Sequence, residues 1–122
     1  MSLIKSSRKA SVLVCISCRE GGEALADATQ FAATGTPEIA IQRVRCLGNC
    51  SRGLSAALRC EDTWTYVFGG LDATRDGPAL IAGARLLAAD ENGLLPWRDR
   101  PEALKKGLIA RVPPRHFSEN CA

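Results

Sequence analysis

The chain has 122 residues, of which 46% are hydrophobic and 24% are charged, and these proportions predict one globular domain rather than a disordered chain. The formal net charge of +3 at pH 7 is too small to indicate a nucleic-acid-binding surface. No apolar run reaches the length of about 18 residues that a membrane-spanning helix needs. The apolar run that follows the basic N-terminal stretch is too short for a signal peptide, so we expect a cytoplasmic protein.

Hydrophobic periodicity predicts a mixed α/β fold. Short β-branched or alternating apolar runs indicate strands, and apolar residues at helical spacing indicate helices. The predicted elements are strands over 11–16, 38–46, 54–60 and 63–70, and helices over 20–34 and 78–91. On the first helix, the expected buried stripe consists of Ala24, Leu25, Ala28, Phe31 and Ala32. The order β–α–β–β–β–α is that of a small thioredoxin-like domain with a mixed sheet and flanking helices.

Composition divides the chain into three parts. We expect an N-terminal tail over 1–10, a thioredoxin-like metal- or cluster-binding domain over 11–93, and an extended C-terminal arm over 94–122. The arm holds four of the six prolines and many basic residues. It is therefore predicted to lie over the domain, with one short helix near 101–107.

Four of the six cysteines form two close pairs, Cys15 with Cys18 and Cys46 with Cys50. Because no secretory signal is apparent, close pairs favour a metal or catalytic role over structural disulfides. Each pair follows a predicted strand. If those two strands are parallel neighbours, all four thiols converge at one edge of the sheet. A four-thiol set of this kind suits tetrahedral zinc or a [2Fe–2S] cluster.

The residues beside these cysteines fit a bound anionic group. Gly48 permits a tight turn, and Asn49 tolerates a left-handed backbone. Arg19, Arg45 and Arg52 each lie within two residues of a cysteine. A cluster ligated by four thiolates carries negative charge, so we expect these arginines to balance that charge and to raise the reduction potential.

The remaining reactive residues have simpler interpretations. Cys60 ends an alternating apolar strand and is predicted to belong to the core, with a reserve role as fourth ligand in place of Cys18. Cys121 is predicted to be an incidental thiol, and His116, the only histidine, an exposed tail residue. The basic residues between 98 and 115 form a solvated face or dock an acidic partner. No nucleotide-binding loop or Ser-His-Asp set is present, so we expect no enzyme.

The stretch "VRCLGNCSRG" at 44–53, with "VCISCRE" at 14–20 one helix earlier, resembles the thioredoxin-like [2Fe–2S] ferredoxins. These include the ferredoxin domain of respiratory NADH dehydrogenases, whose second ligand loop has the form C-L-G-x-C. The resemblance implies a [2Fe–2S] cluster bound by Cys15, Cys18, Cys46 and Cys50 and electron transfer to a redox partner protein. Cys18 departs from the pattern, because those families have a longer gap between their first two ligands.

Over nearly its whole length, the chain is similar to a family of predicted metal-binding proteins, domain of unknown function 1636. The matching features also include "YVFGGLD" at 66–72 and "ARVPPR" at 110–115. Members often lie beside cobalamin-synthesis genes, which implies a link to cobalamin or cobalt metabolism.

Two other functions stay open. Four thiolates also suit a structural or carrier protein for zinc or cobalt. Alternatively, Cys15 and Cys18 lie between a strand and a helix, where thioredoxin-like thiol–disulfide oxidoreductases keep their redox pair. We expect no nucleic-acid or membrane partner, and a homodimer is left open.

Overall fold

A computed structural model describes residues 9–17, 21–48, 50–115 and 117, and of Cys50 it describes the backbone. The elements are β1 (Ala10–Cys15), α1 (Gly22–Ala32), β2 (Ile39–Val44), a 3₁₀ turn (Cys50–Arg52), β3 (Leu54–Cys60), β4 (Thr65–Leu71), α2 (Gly77–Ala89), α3 (Glu102–Lys106) and β5 (Leu108–Val112). The order from β1 to α2 confirms the predicted β–α–β–β–β–α arrangement.

The strands form one mixed sheet in the order β2-β1-β3-β4-β5. β1 and β2 are parallel, and Cys15 lies opposite Val44 at their carboxyl ends. β3 runs antiparallel to β1, and β4 antiparallel to β3. The ends of β1, β2 and β4 therefore meet the start of β3 at one edge of the sheet, which we call the cysteine edge because Cys15, Cys46 and Cys50 lie there.

The helices α1 and α2 pack together on one face of the sheet. Alternate residues of β1 and β3, such as Val12 and Leu58, point into this core and are fully buried. The helices approach closely because residue 77 is glycine: a Cβ there would lie 2.8 Å from the carbonyl oxygen of Ala28. The longest helix, α2, has 13 residues, and within the described residues no helix is long and apolar enough to cross a membrane.

The predicted buried stripe of α1 is correct at Leu25 and wrong at Ala24 and Phe31, and Ala28 and Ala32 are half-buried. The side chain of Phe31 is 81% exposed, and the buried helix residues are Gly22, Leu25, Ala26 and Thr29. On a helix of 3.6 residues per turn, Phe31 points almost directly away from this stripe. Thr29 takes the buried place because its hydroxyl donates a hydrogen bond to the Leu25 carbonyl at 2.7 Å, which removes the cost of burying it.

The C-terminal arm contributes more structure than its composition indicates. α3 confirms the predicted short helix, but the sequence did not predict β5, which pairs antiparallel with β4 at the edge of the sheet. The strand is only five residues long, and its last residues are exposed. Pro113 and Pro114 follow directly and cannot continue the hydrogen-bond ladder. The boundary drawn at residue 94 stays a prediction.

Arg100 joins separate parts of the arm and packs against Tyr66 of the sheet. Its Nη2 donates to the Leu95 carbonyl at 2.6 Å and its Nη1 to the Leu104 carbonyl at 3.4 Å. The guanidinium also lies 5.5 Å from the Tyr66 ring and 5.1 Å from the Trp97 ring. Only 8% of the residue is exposed, and this burial lowers the pKa of Arg100.

We expect Arg100→Leu to lower the free energy of unfolding by about 2–4 kcal/mol, because the variant leaves two buried carbonyls without a donor. Urea denaturation measures the effect. The control is Arg98→Leu at an exposed position, where a change within about 0.5 kcal/mol is expected. Equal stability of the two variants would contradict the assigned role of Arg100.

Candidate metal centre

The parallel pairing of β1 and β2 brings the two cysteine loops together. The ladder continues one step beyond β1, because the N–H of Ile16 donates to the Val44 carbonyl at 2.9 Å. The chain therefore leaves both strands side by side at the cysteine edge. This is the arrangement that the sequence predicted for the case of parallel neighbours.

The Cys15 sulfur lies against the start of the second cysteine loop. Its Sγ donates to the Arg45 carbonyl at 3.7 Å, and the hydroxyl of Ser17 donates to the same carbonyl. Cys15 is 0% exposed, whereas Cys46, the residue after Arg45, is exposed. Of the predicted ligands, Cys15 is therefore buried at the end of β1, and Cys46 is exposed to solvent in the adjacent loop.

The loop after Cys46 turns back on its own sulfur. The N–H of Gly48 donates to Cys46 Sγ at 3.2 Å, and the φ angle of Gly48 is +72°. An added Cβ would meet nothing within 4 Å, so glycine is needed for the backbone conformation and not for space. Such an N–H donor stabilises a thiolate more than a neutral thiol.

The second cysteine of this loop begins the 3₁₀ turn at Cys50–Arg52. Gly53 ends the turn with a φ of +82°, and a Cβ on Gly53 would lie 3.4 Å from the Cα of Gly70. The turn that begins at Cys50 therefore ends beside the last residues of β4, at the cysteine edge.

Three of the predicted site residues, Cys18, Arg19 and Asn49, lie outside the described residues, as does the side chain of Cys50. The same holds for His116 and Cys121. Of the four predicted ligands, the structure thus brings together Cys15, Cys46 and the backbone of Cys50.

The reserve role of Cys60 as a ligand is wrong. Because β3 is antiparallel to β1, Cys60 lies opposite Ala10, at the other end of β1 from Cys15. Five residues of strand separate the two positions along β1, which is roughly 17 Å. Cys60 is 6% exposed and belongs to the hydrophobic core, which confirms its alternative interpretation.

The arginines of this region divide into two groups. Arg43 is neutralised by α1, because its guanidinium nitrogens lie 2.9 Å from carboxylate oxygens of both Glu23 and Asp27. The hydrogen bond to Asp27 is the main cause of the raised pKa of Arg43. Arg45 and Arg52 are exposed, and neither forms an ion pair with a carboxylate of the described residues.

The carboxylates that follow β4 accept hydrogen bonds from residues of their own loop. Asp72 accepts hydrogen bonds from the Thr74 hydroxyl at 2.6 Å and from the Thr74 N–H at 2.8 Å. The Thr74 hydroxyl is the largest cause of the lowered pKa of Asp72. The Asp76 carboxylate, at the N-terminus of α2, accepts from the Asp72 N–H at 2.7 Å. Both carboxylates therefore shape the β4–α2 connection.

The described residues at the cysteine edge fit a metal ion or cluster that is bound by thiolates. Two sulfurs lie at neighbouring strand ends, one of them accepts a backbone N–H, and cations without described partners lie beside them. Within the described ranges, no group of three or more His, Cys, Asp and Glu side chains could hold a metal ion. The predicted four-thiol site includes two thiols, those of Cys18 and Cys50, that lie outside the described residues.

Comparison with solved structures supports the fold assignment. A thioredoxin-like [2Fe–2S] ferredoxin from Aquifex aeolicus matches with a TM-score of 0.57 at 16% identity, over 89% of this chain and 98% of that one. A crystal structure at 1.5 Å resolution of the wild-type thioredoxin-like [2Fe–2S] ferredoxin from the same organism matches with a TM-score of 0.58 at 14% identity, over 84% and 97%. At these identities the likeness establishes a thioredoxin-like ferredoxin fold.

Comparison of sequences gives the family. A search of curated proteins found no match. The model of one family, described as "Protein of unknown function (DUF1636)", matches residues 12–114. That range runs from β1 to the residues that follow β5 and includes both cysteine loops. The chain therefore belongs to the DUF1636 family.

Proposed function

We propose that the protein is a ferredoxin-like electron carrier that holds a [2Fe–2S] cluster with Cys15, Cys18, Cys46 and Cys50. The proposal rests mainly on one observation. The Cys15 Sγ lies 3.7 Å from the carbonyl oxygen of Arg45, the residue directly before Cys46, so thiols from both loops share one edge. The fold of the ferredoxins from Aquifex aeolicus supports the same function. When bound, the cluster supplies one-electron oxidation and reduction.

The residues around the thiols have separable roles in this proposal. The buried Cys15 keeps water from the inner side of the site. The Gly48 N–H, which donates to Cys46 Sγ, offsets negative charge on that sulfur. Arg45 and Arg52 offset charge from the solvent side. Hydrogen bonds and cations of this kind favour the reduced state, which carries one more negative charge.

We expect Arg45→Gln and Arg52→Gln each to lower the reduction potential, by on the order of 20 mV for one exposed charge removed at about 8 Å in water. A redox titration of the reconstituted proteins measures the shift. Arg59→Gln is the matched control, because Arg59 lies opposite Ser11 near the far end of β1. Unchanged potentials in both site variants would contradict the charge-balancing role.

The function itself is tested by reconstitution. The protein is loaded anaerobically with iron and sulfide and titrated with dithionite while its visible absorption is followed. The proposal predicts reversible bleaching that is complete after one electron per chain. A protein that takes up no electrons after this treatment would contradict it.

A zinc protein is the second candidate, supported by the same pair of thiols, because four thiolates form a closed tetrahedral zinc site. Complete burial of Cys15 (0% exposed) disfavours the thiol–disulfide alternative, since an attacking thiol must be accessible. An electron carrier requires a redox partner protein, and the link to cobalamin or cobalt metabolism stays an expectation from the family resemblance.

A further inference from the structure

A small cavity of about 160 Å³ lies beside the turn that begins at Cys50. Its lining residues are Arg52, Gly69, Gly70, Lys106, Gly107 and Ile109. The two cations come from different parts of the chain, one from the 3₁₀ turn and one from the end of α3. The sequence predicts Arg52 as a site residue and Lys106 as part of a basic arm. In the structure, both residues line this cavity at the cysteine edge.

Among the described residues, no carboxylate lines this cavity. Arg52 forms no ion pair with the described carboxylates. Among the described carboxylates, Lys106 pairs with Glu102 alone, at 3.7 Å, and both side chains are largely exposed (76% and 69%). An exposed pair one helical turn apart contributes a few tenths of a kcal/mol, so another carboxylate can replace Glu102 at little cost.

Half of the described lining consists of glycines, which present backbone atoms to the cavity. Gly69 donates its N–H to the Gly107 carbonyl at 2.8 Å. A Cβ on Gly107 would lie 2.6 Å from the Gly69 carbonyl oxygen, so a side chain at residue 107 is excluded. Ile109 supplies an aliphatic side chain to the described lining. The cavity thus offers two cations and one aliphatic side chain, which together fit the charged end and the methylene stem of an acidic side chain.

The surface around the cavity carries charges of both signs. Of the four arginines between residues 39 and 60, Arg45 and Arg52 lie at the cysteine edge and form no ion pair with a described carboxylate. A larger cleft of about 570 Å³ continues from the cavity, and its described charged lining residues are Asp72, Arg75, Asp76, Glu102 and Lys106. Asp72 pairs with Arg75 and Glu102 with Lys106, each at 3.7 Å, so the positive charge that has no described ion pair lies on the Arg52 side of the cavity.

We propose that this cavity, the carboxylate socket, receives a glutamate or aspartate side chain of an acidic partner protein and so docks that partner over the cysteine edge. This inference rests on the proposed function, because an electron carrier needs a redox partner protein and the socket describes that partner as acidic. A protein fits better than a free anion, since both cations are exposed and each contributes little alone. Useful affinity then requires the contact area of a partner surface, with charge setting orientation and association rate.

The experiment measures binding of a fluorescently labelled short poly-L-glutamate peptide to the full chain by anisotropy at low salt. The socket variants are Arg52→Gln and Lys106→Gln. The control variants are Arg59→Gln and Arg115→Gln, which alter a second cavity of about 340 Å³ at the other end of the sheet. All four variants remove one positive charge, so the comparison separates position from net charge.

We expect each socket variant to weaken binding about two- to five-fold, the range for one exposed ion pair, and Arg52→Lys to retain most of the affinity because it keeps the charge. The control variants should bind like the parent chain. Equal weakening by the control variants, or no weakening by the socket variants, would overturn the socket. Displacement of the peptide by inorganic phosphate beyond that by chloride of equal ionic strength would also overturn it, in favour of a free-anion site.

This outcome is distinguishable from failure of the proposed function. Peptide binding is measured on the chain whether or not iron is bound, while iron and sulfide are counted on the same sample. Position-dependent binding by a chain that takes up no iron and sulfide on reconstitution would reject the electron-transfer function alone. A loaded cluster without position-dependent binding would reject the socket alone.

Discussion

We expect the Cys46→Ser protein to lose most of its bound iron and its visible absorption. Cys46 is exposed, so an oxygen in place of the sulfur leaves the core packing unchanged while it removes one of the four proposed thiolate ligands. The Gly48 N–H donates to this sulfur at 3.2 Å. In the variant it would donate to a serine oxygen, which is a poorer iron ligand than a thiolate. Iron and sulfide counts on proteins reconstituted side by side measure the loss.

Cys60→Ser is the matched control for this prediction. Cys60 lies opposite Ala10, at the far end of the sheet. The substitution should therefore leave the iron content unchanged even if it lowers the stability of the protein. Retention of a full cluster by Cys46→Ser, or loss of the cluster in folded Cys60→Ser, would contradict the assignment of the cysteine edge.

Gly22→Ala is expected to cost about 2–3 kcal/mol of unfolding free energy, which is within the range for overpacking a tightly packed site. The first turn of α1 lies directly on the end of β1. A Cβ at residue 22 would lie 2.6 Å from the carbonyl oxygens of Cys15 and Ile16. Both contacts are with backbone, so the helix or the strand end must shift. Because the strand end carries Cys15, we also expect a lower iron content after reconstitution.

Gly35→Ala provides the comparison for this effect. Residue 35 has a φ of +84° but no atom within 4 Å of an added Cβ, so its substitution costs only backbone strain, about 1–2 kcal/mol, and should leave the iron content unchanged. Urea denaturation of both variants gives the two stabilities. Full iron binding by Gly22→Ala would show that α1 and the site are less tightly coupled than this packing indicates.

The sequence was sufficient to predict most of the sheet because the strands near the core have strong alternation. On β3 and β4, large apolar residues such as Leu58 and Phe68 alternate with smaller or polar ones, and both are fully buried. The glycine of the second loop was also identifiable, since Gly48 adopts the positive φ that the turn requires. These signals are local in the chain, so one sequence carries them.

The errors concern features that depend on distant partners. Phe31 was placed inside because apolar spacing alone does not show which side of a helix meets the sheet. β5 was missed because its five residues gain their hydrogen bonds only from β4. The sequence leaves Cys60 a reserve role as ligand beside its predicted place in the core, because the direction of β3 relative to β1 cannot be read from either strand. The ion pairs of Arg43 with Glu23 and Asp27 join residues 16 or more positions apart.

The most direct test of the central claim is a count of iron, sulfide and zinc in anaerobically purified protein, together with its visible spectrum. A [2Fe–2S] cluster held by the two cysteine loops predicts about two irons and two sulfides per chain and absorption bands in the visible range. A colourless protein with one zinc per chain, or one that stays free of metal after reconstitution, would contradict it.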